Sequence, residues 1–285
     1  IIEGFDCDGR VPLEDVYSVV IDNPRVSLSS YALVQLSQNN AHVIVCNDKH
    51  MPTALILPLK NHYRPLNVLK RQLALSVRLK NKIWRKIVIG KIGNQLNILK
   101  HINADSNSIE LLTKYMSEVT GGDSTNREGL AAKVFFRSIY GSQFIRNSDD
   151  AINAALNYGY SIVRSTVAKH LCAYGYHCEI GVHHVSETNP FNLAEDFMEP
   201  FRPIVDLWVE SRKETLVDTL NLGHRKELAA LCNRYVTLGD KRMTVRNAIE
   251  KMTASYSSTL ETEDVERFLI PCVDPQLFMK MDLEE

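Results

Sequence analysis

Three places in this chain of 285 residues carry side chains whose types and spacing could do chemistry. The first is Ser124-Thr125-Asn126-Arg127-Glu128-Gly129, where a carboxylate opens a helical pattern. Its local reading is a capping box in which Glu128 reaches back to the backbone N–H of Thr125. Gly129 fits that poorly, because glycine is a weak helix former where a good one is expected. The second is Ile180-Gly181-Val182-His183-His184. In an extended segment adjacent side chains face opposite sides, so only one of the two histidines can enter a given site. A packed or simply exposed histidine is the plainer alternative. The third is Glu195-Asp196-Phe197-Met198-Glu199-Pro200-Phe201-Arg202-Pro203. Asp196 and Glu199 share a helix face, and Arg202 comes after them. Pro200 and Pro203 disrupt a regular helix there, since each removes an amide donor and crowds the carbonyl four residues back. One histidine with two or three carboxylates is a hard, oxygen-rich set that suits Mg²⁺ or Mn²⁺ better than zinc. Beside a basic surface such an ion lowers the pKa of a bound water or hydroxyl and stabilises charge on a phosphodiester. Spacing alone does not bring positions 128, 184 and 199 together.

The elements that must position these residues fall into two kinds. Val16–Asp22, Ala41–Cys46 and Thr53–Leu59 read as strands, with Asn23-Pro24 and Asn47-Asp48 supplying turns and Ser29–Gln38 a short serine-capped helix between them. From about Pro65 the period is helical, over Leu66–Lys100, Ser108–Val119, Asn126–Tyr140, Asp150–Tyr174, Leu193–Arg212, Leu216–Tyr235 and Val245–Leu260. Gly121-Gly122 separates the second helix from the third, and Gly175 ends the fourth. The expected class is therefore α+β with two domains: a small β-rich N-terminal domain, residues 1–63, and a larger all-α domain, residues 64–285.

Composition sets the outer limits. Hydrophobic residues make up 45% and charged residues 24%, an ordinary globular balance that excludes a disordered chain. No run of 18 apolar residues exists, so no transmembrane helix is expected. Six cysteines without CxxC spacing read as reduced core residues. The chain starts at Ile1 without a signal pattern, and the expectation is a cytoplasmic protein whose start lies further upstream.

The 33 bases and 34 acids are segregated. Residues 1–48 hold seven acids and two bases, residues 49–104 hold twelve bases and no acid, and the segment from 259 holds eight acids against Arg267 and Lys280. Within the basic block Arg71, Arg78, Lys82 and Arg85 fall on one side of a helix, with Leu73, Val77, Trp84 and Val88 roughly opposite. Such a face suits a phosphate backbone; the alternative is a solvated face whose charges are answered by the acidic segments. Lys80 and Lys91 break the pattern by falling on the apolar side.

At this point the sequence resembles a known family. Asn126-Arg127-Glu128-Gly129, Asn153-Ala154-Ala155-Leu156-Asn157-Tyr158-Gly159-Tyr160 and Met198-Glu199-Pro200-Phe201-Arg202-Pro203 stand in the order and spacing of the CRISPR-associated adaptation integrase. That protein is the metal-dependent endonuclease that inserts new spacers into a CRISPR array, and the chain looks most like the version from type II systems. Cys46-Asn47-Asp48-Lys49-His50-Met51-Pro52 resembles the family's Cys-Asp…His-x-Pro stretch, with Asn47 in place of the usual acid. Leu130 stands where many relatives have histidine, and relatives begin with a Trp-Arg-containing strand that precedes the equivalent of Ile1, so the opening strands of the β domain are expected to be missing.

The resemblance implies that Glu128, His184 and Glu199 are the catalytic residues that hold Mg²⁺ or Mn²⁺, His184 being the histidine three residues after Gly181. It places Asp196 and Arg202 just outside the ligand set. It also implies a bacterial, cytoplasmic homodimer joined through its β domains, with double-stranded DNA as substrate. The partner it implies is the small second adaptation protein, two integrase dimers flanking one dimer of it; the effector nuclease is a further candidate partner. The reaction implied is transesterification, in which a 3′-hydroxyl of a short DNA fragment attacks a phosphodiester at the leader–repeat junction. Arg71, Arg78, Lys82 and Arg85 are candidates to hold the DNA backbone, and Tyr158 and Tyr160 to approach DNA ends. Because histidine must be neutral to bind metal, activity is expected to fall below about pH 6.5. Two other readings stay open on the sequence: a DNA-binding scaffold without catalysis, and a stand-alone nuclease acting on branched DNA.

Overall fold

Short β-branched segments broken by turn residues give the N-terminal part its sheet. In the computed structural model, which describes residues 9–58 and 62–280, the chain divides into two units, residues 1–63 and 64–285. The first holds β1 (Ser18–Ile21), α1 (Ser30–Gln38), β2 (His42–Cys46) and β3 (Pro52–Ile56). The expectation that the third strand reaches Leu59 ends outside the described residues; the strand as described stops at Ile56. Ser29 caps α1 by accepting from the Ala32 amide at 3.1 Å. The helix serves as the crossover between β1 and β2, which pair in parallel with Ser18 opposite His42, and β2 then pairs antiparallel with β3. Leu36, Ala41 and Val43 form the buried centre under Val16, Val19 and Leu33. The Cys46–Pro52 stretch is the hairpin loop: Asn47 Oδ1 accepts from the Lys49 and Met51 amides, both at 3.0 Å. That is the work an aspartate would do in the same place.

The second unit is built on helices: α2 (Pro65–Leu73), α3 (Val77–His101), α4 (Ser106–Ser117), α5 (Arg127–Tyr140), α6 (Ala151–Ala173), α7 (Asn192–Met198), α8 (Arg202–Arg212), α9 (Leu222–Ala229), α10 (Val245–Thr262) and α11 (Pro275–Met279). Long helices α3 and α6 form its centre. Ile83, Ile87, Val88 and Ile92 of α3 are fully buried, and α3 packs against α4, α5 and α8. α6 is apolar on nearly all sides and is enclosed by α7, α8, α9 and α10. Gly159 lets α6 and α8 approach, since a Cβ there would lie 2.5 Å from Val205 Cγ1.

Two sequence expectations change. The single helix expected over Leu66–Lys100 is two helices, because Ser76 accepts from the Leu79 amide and starts a new one. The helix expected over Leu216–Tyr235 shortens to α9, and the helical unit gains a small sheet of β4 (Tyr235–Leu238), β5 (Lys241–Thr244) and β6 (Pro271–Cys272) in the order β5-β4-β6. The two-residue turn Gly239-Asp240, with Gly239 at φ +59°, joins β4 to β5. No described helix is long and apolar enough to cross a membrane.

Candidate active site

Glu128 sits in the first turn of α5, and the cap there is not the expected box. Asn126, in the left-handed conformation at φ 52°, caps the helix by accepting from the Gly129 amide at 3.2 Å. A Cβ on Gly129 would lie 2.6 Å from Asn126 Oδ1, so this cap requires glycine at that position. The carboxylate of Asp123 takes the amides of Arg127 and Glu128, both at 2.9 Å. With the free amides of the first turn satisfied by its neighbours, the Glu128 side chain points elsewhere.

The histidine loop is fixed from four directions. α6 ends in a Schellman turn at Gly175 (φ 82°), with the Tyr176 amide donating to Leu171 O and the Gly175 amide to Cys172 O. Gln72 of α2, 1% exposed, clamps the loop beyond that turn: its Nε2 donates to His177 O and Ile180 O, each at 2.8 Å, and its Oε1 accepts from the His177 amide. Asp196, with no exposed surface, accepts from the amides of Val182, His183 and His184 at 2.6, 3.0 and 3.1 Å and meets His184 Nδ1 at 2.7 Å. A Cβ on Gly181 would collide with the His184 carbonyl oxygen. His183 stacks flat on Trp84 of α3, ring centres 4.1 Å apart, which turns the two histidines to different sides. The Asp196 hydrogen bond holds the His184 imidazole above its ordinary pKa against burial, whereas burial pushes His183 down.

The third motif is a break in a helix. α7 ends at Met198, residues Glu199–Phe201 form one 3-10 turn, and α8 restarts at Arg202. Both prolines thus fall in first turns, where a missing amide costs little. Asn94 of α3 anchors the turn, its Nδ2 donating to Pro200 O at 2.8 Å. Glu199, 5% exposed, receives Arg202 Nε on Oε1 at 2.7 Å and Lys91 Nζ on Oε2 at 2.5 Å. Burial acts to raise its carboxyl, but Arg202 and Lys91 outweigh it and hold the pKa at about 2.

Lys91 is the residue that joins the motifs. Lys91 is 6% exposed, and its ammonium pairs with Glu128 Oε1 as well as with Glu199 Oε2. Burial works against that charge, and the two carboxylates more than offset it, so its pKa lies above the ordinary lysine value. The structure therefore brings Glu128 and Glu199 onto one cation, 71 residues apart in sequence. The Glu199 charge adds to the raising of the His184 pKa, behind the Asp196 hydrogen bond. Among the described residues, no three His, Cys, Asp or Glu side chains surround one point closely enough to hold an ion as they stand. The donor set still fits a hard divalent ion. Two carboxylate oxygens already share one cation position, and His184, with Nδ1 engaged by a carboxylate, has Nε2 left as a donor, the arrangement found in many metal sites. Lys91 and Lys80 are the two lysines that the sequence places on the apolar side of the helix. Lys91 bridges the carboxylates, and Lys80 lines a cavity of about 580 Å³ beside His184.

The predicted DNA contacts divide. Arg78, Lys82 and Arg85 are exposed along the first turns of α3, although Arg85 also gives its Nε to Val119 O at 2.8 Å. Arg71 belongs to α2 and pairs with Glu261 at 2.6 Å, so an acid from the C-terminal segment answers it. Tyr160 is a correction: it is 7% exposed, its hydroxyl donates to Asp206, and the guanidinium of Arg202 lies 4.6 Å from its ring centre. Tyr158, 1% exposed, is core as well. Gln72 and Asn94 were not anticipated; buried amides on helix faces were the only signal for them.

Comparison with known proteins gives a consistent answer. The sequence matches the family described as CRISPR associated protein Cas1 over residues 6–216. It is 35% identical over 267 residues to the CRISPR-associated endonuclease Cas1 of Neisseria meningitidis serogroup C (strain 8013), covering 93% of this chain and 88% of that one. It is 24% identical to a Cas1 endonuclease of Francisella tularensis subsp. novicida (strain U112), covering 92% and 91%. Among solved structures the fold is similar to a casposase bound to integration product, with a TM-score of 0.66, 20% identity, and 88% and 80% of the two chains covered. It is also similar to a Cas6-RT-Cas1–Cas2 complex, with a TM-score of 0.70 and 17% identity, over 92% of this chain and 33% of that longer one.

Proposed function

The chain belongs to the Cas1 family of CRISPR-associated proteins, and from that membership together with the carboxylate pair we propose that it is a metal-dependent DNA integrase and endonuclease of CRISPR adaptation. The observation that carries the reading is the meeting of Glu128, from the first turn of α5, and Glu199, from the turn between α7 and α8, on one cation position. Glu128, Glu199 and His184 would hold Mg²⁺ or Mn²⁺. Such an ion, when bound, polarises the scissile phosphodiester and favours the deprotonated attacking hydroxyl.

The rest is the work of this chain's own residues. Asp196 fixes three amides of the histidine loop and holds Nδ1 of His184, leaving Nε2 as the free nitrogen. Arg202 keeps Glu199 ionised and in place. The exposed Arg78 and Lys82 would engage the DNA backbone, which positions a duplex without reading its sequence. The reaction is a transesterification: a 3′-hydroxyl of a short DNA fragment attacks a phosphodiester at the leader–repeat junction, a new phosphodiester forms, and the 3′-hydroxyl of the cut strand leaves. The protein would act as a homodimer with the small second adaptation protein; Cas1–Cas2 complexes stand among its structural neighbours.

The test is Glu128→Ala, assayed with a 3′-OH duplex and an array target in Mg²⁺ or Mn²⁺. Integration is expected to disappear while salt-sensitive DNA binding persists. A Glu128→Ala protein that still integrates would remove the metal-site assignment, and a wild-type protein that binds DNA without joining it would favour a scaffold.

A further inference from the structure

The two carboxylates of the site are already bridged. Lys91 Nζ stands between Glu128 Oε1 and Glu199 Oε2, on the position that an ion shared by both would take. The other oxygen of Glu199 is engaged too, Oε1 accepting from Arg202 Nε at 2.7 Å. A divalent ion bonded to both groups needs its oxygens at about 2.0–2.2 Å, nearer than any ammonium contact. At that spacing a lysine left in place would lie against a dication with little water between them, where repulsion is strong.

We propose that Lys91 is the resident counter-ion of the carboxylate pair, and that the divalent ion binds by displacing its ammonium from Glu128 and Glu199. This rests on the metal-site reading above and adds a consequence to it. With the ammonium seated, two carboxylates face two cations, Lys91 and Arg202, and the site is close to neutral. With a divalent ion seated and Lys91 moved aside, the same pocket carries a net positive charge. The displaced ammonium stays tethered beside it, suited to the phosphodiester of an incoming strand. Lys91 would therefore do two things: keep a buried acid pair folded before the ion arrives, and make the pocket attractive to DNA only afterwards. A methionine of similar length would keep the packing of α3 and remove the competing charge.

The experiment measures Mn²⁺ binding to the intact chain without DNA, at pH 7.5, for wild type, Lys91→Met and Glu128→Gln, by loss of the free-ion electron paramagnetic signal and by melting in EDTA and in Mn²⁺. Lys91→Met is expected to bind Mn²⁺ about tenfold more tightly than wild type. It should also melt lower than wild type in EDTA and regain more on Mn²⁺ addition. Equal Mn²⁺ affinity in wild type and Lys91→Met, with Glu128→Gln abolishing binding, would overturn the displacement and leave the metal site standing. Binding that Glu128→Gln does not weaken would overturn the metal site itself. Should Lys91→Met not fold, wild type answers by itself. Reductive methylation mapped by mass spectrometry should label Lys91 several-fold more in Mn²⁺ than in EDTA, and unchanged or reduced labelling would overturn the proposal.

Discussion

Helix α3 places lysines in two opposite situations. Lys82, near its start, stands exposed beside Arg78 and Arg85, while Lys91, further along, is 6% exposed and joins two carboxylates. The ion pairs repeat the contrast at almost equal length. Arg202 meets Glu199 at 2.7 Å where the acid side chain is 6% exposed, and Arg71 meets Glu261 at 2.6 Å where the acid side chain is 57% exposed. Distance is therefore not what separates a structural charge from a decorative one. Burial is, because an unpaired charge in the interior has no water to turn to, whereas an exposed one does.

The sharpest way to break this comparison is to remove one arginine from each pair. Arg202→Ala leaves Glu199 buried with Lys91 alone, and we expect a loss of about 3 kcal/mol in urea melts, the low end for a buried pair because one partner remains. Arg71→Ala is expected to cost under about 1 kcal/mol in the same melts. Equal losses would mean that burial does not set the value of these pairs. Asp196 is the next strongest point. Asp196→Asn keeps the shape but weakens acceptance from three amides and the grip on His184 Nδ1. On the proposed metal site, integration should fall about 10- to 100-fold, the usual cost of losing a group that orients a metal-binding histidine. Gel-based DNA binding should hardly change.

What could be read in the sequence divides along the same line. The helices and the first sheet were legible because their signals are local, as with Ser29 before α1 or the glycine that ends α6. The break at Ser76 was hidden by apolar residues continuing across it, so only its cap chemistry distinguishes two helices from one. The β4–β5 hairpin begins where the expected helix ended, at Tyr235, and went unread although Gly239-Asp240 carried the turn signal. In the site, the three motifs were visible one by one, but the capping-box reading of Glu128 was wrong because Asn126 takes that task. What joined them was visible only as a misfit, a lysine on a buried helix face. A buried ammonium needs acids around it, and spacing does not say which acids fold onto it.

The buried half of the comparison also sets a pH limit. His184 has its pKa raised, chiefly by the Asp196 hydrogen bond, so its proton is held more tightly in the folded protein than in a free histidine. The neutral form that the proposed metal site needs is then lost sooner as pH falls. The acid limb of integration activity should lie above about pH 6.5 and drop about tenfold per unit below it. In Asp196→Asn the limb should move down. The same raised pKa favours folding while the imidazolium is present, a contribution that fades as pH rises through the folded-state value. The stability profile and the activity profile should therefore slope in opposite directions across this window, which melts and integration rates measured on the same pH series will test.

The exposed half gives the smallest effect and the cleanest separation. Arg78→Glu with Lys82→Glu touches neither the carboxylate pair nor the histidine loop, so Mn²⁺ binding and melting temperature should stay as in wild type. DNA affinity should fall at about 0.15 M salt and fall less as salt rises, because counterions screen a surface contact. The diagnostic is the slope. If both side chains displace counterions from phosphates, the dependence of log affinity on log salt should flatten by about two, close to one per lost contact. An unchanged slope would put these two residues with Arg71, as surface charge that the acidic C-terminal segment answers, and would move the DNA path elsewhere on the helical unit. A changed melting temperature would mean that charge on this face is coupled to the buried cluster after all, and the distinction between Lys82 and Lys91 would lose its basis.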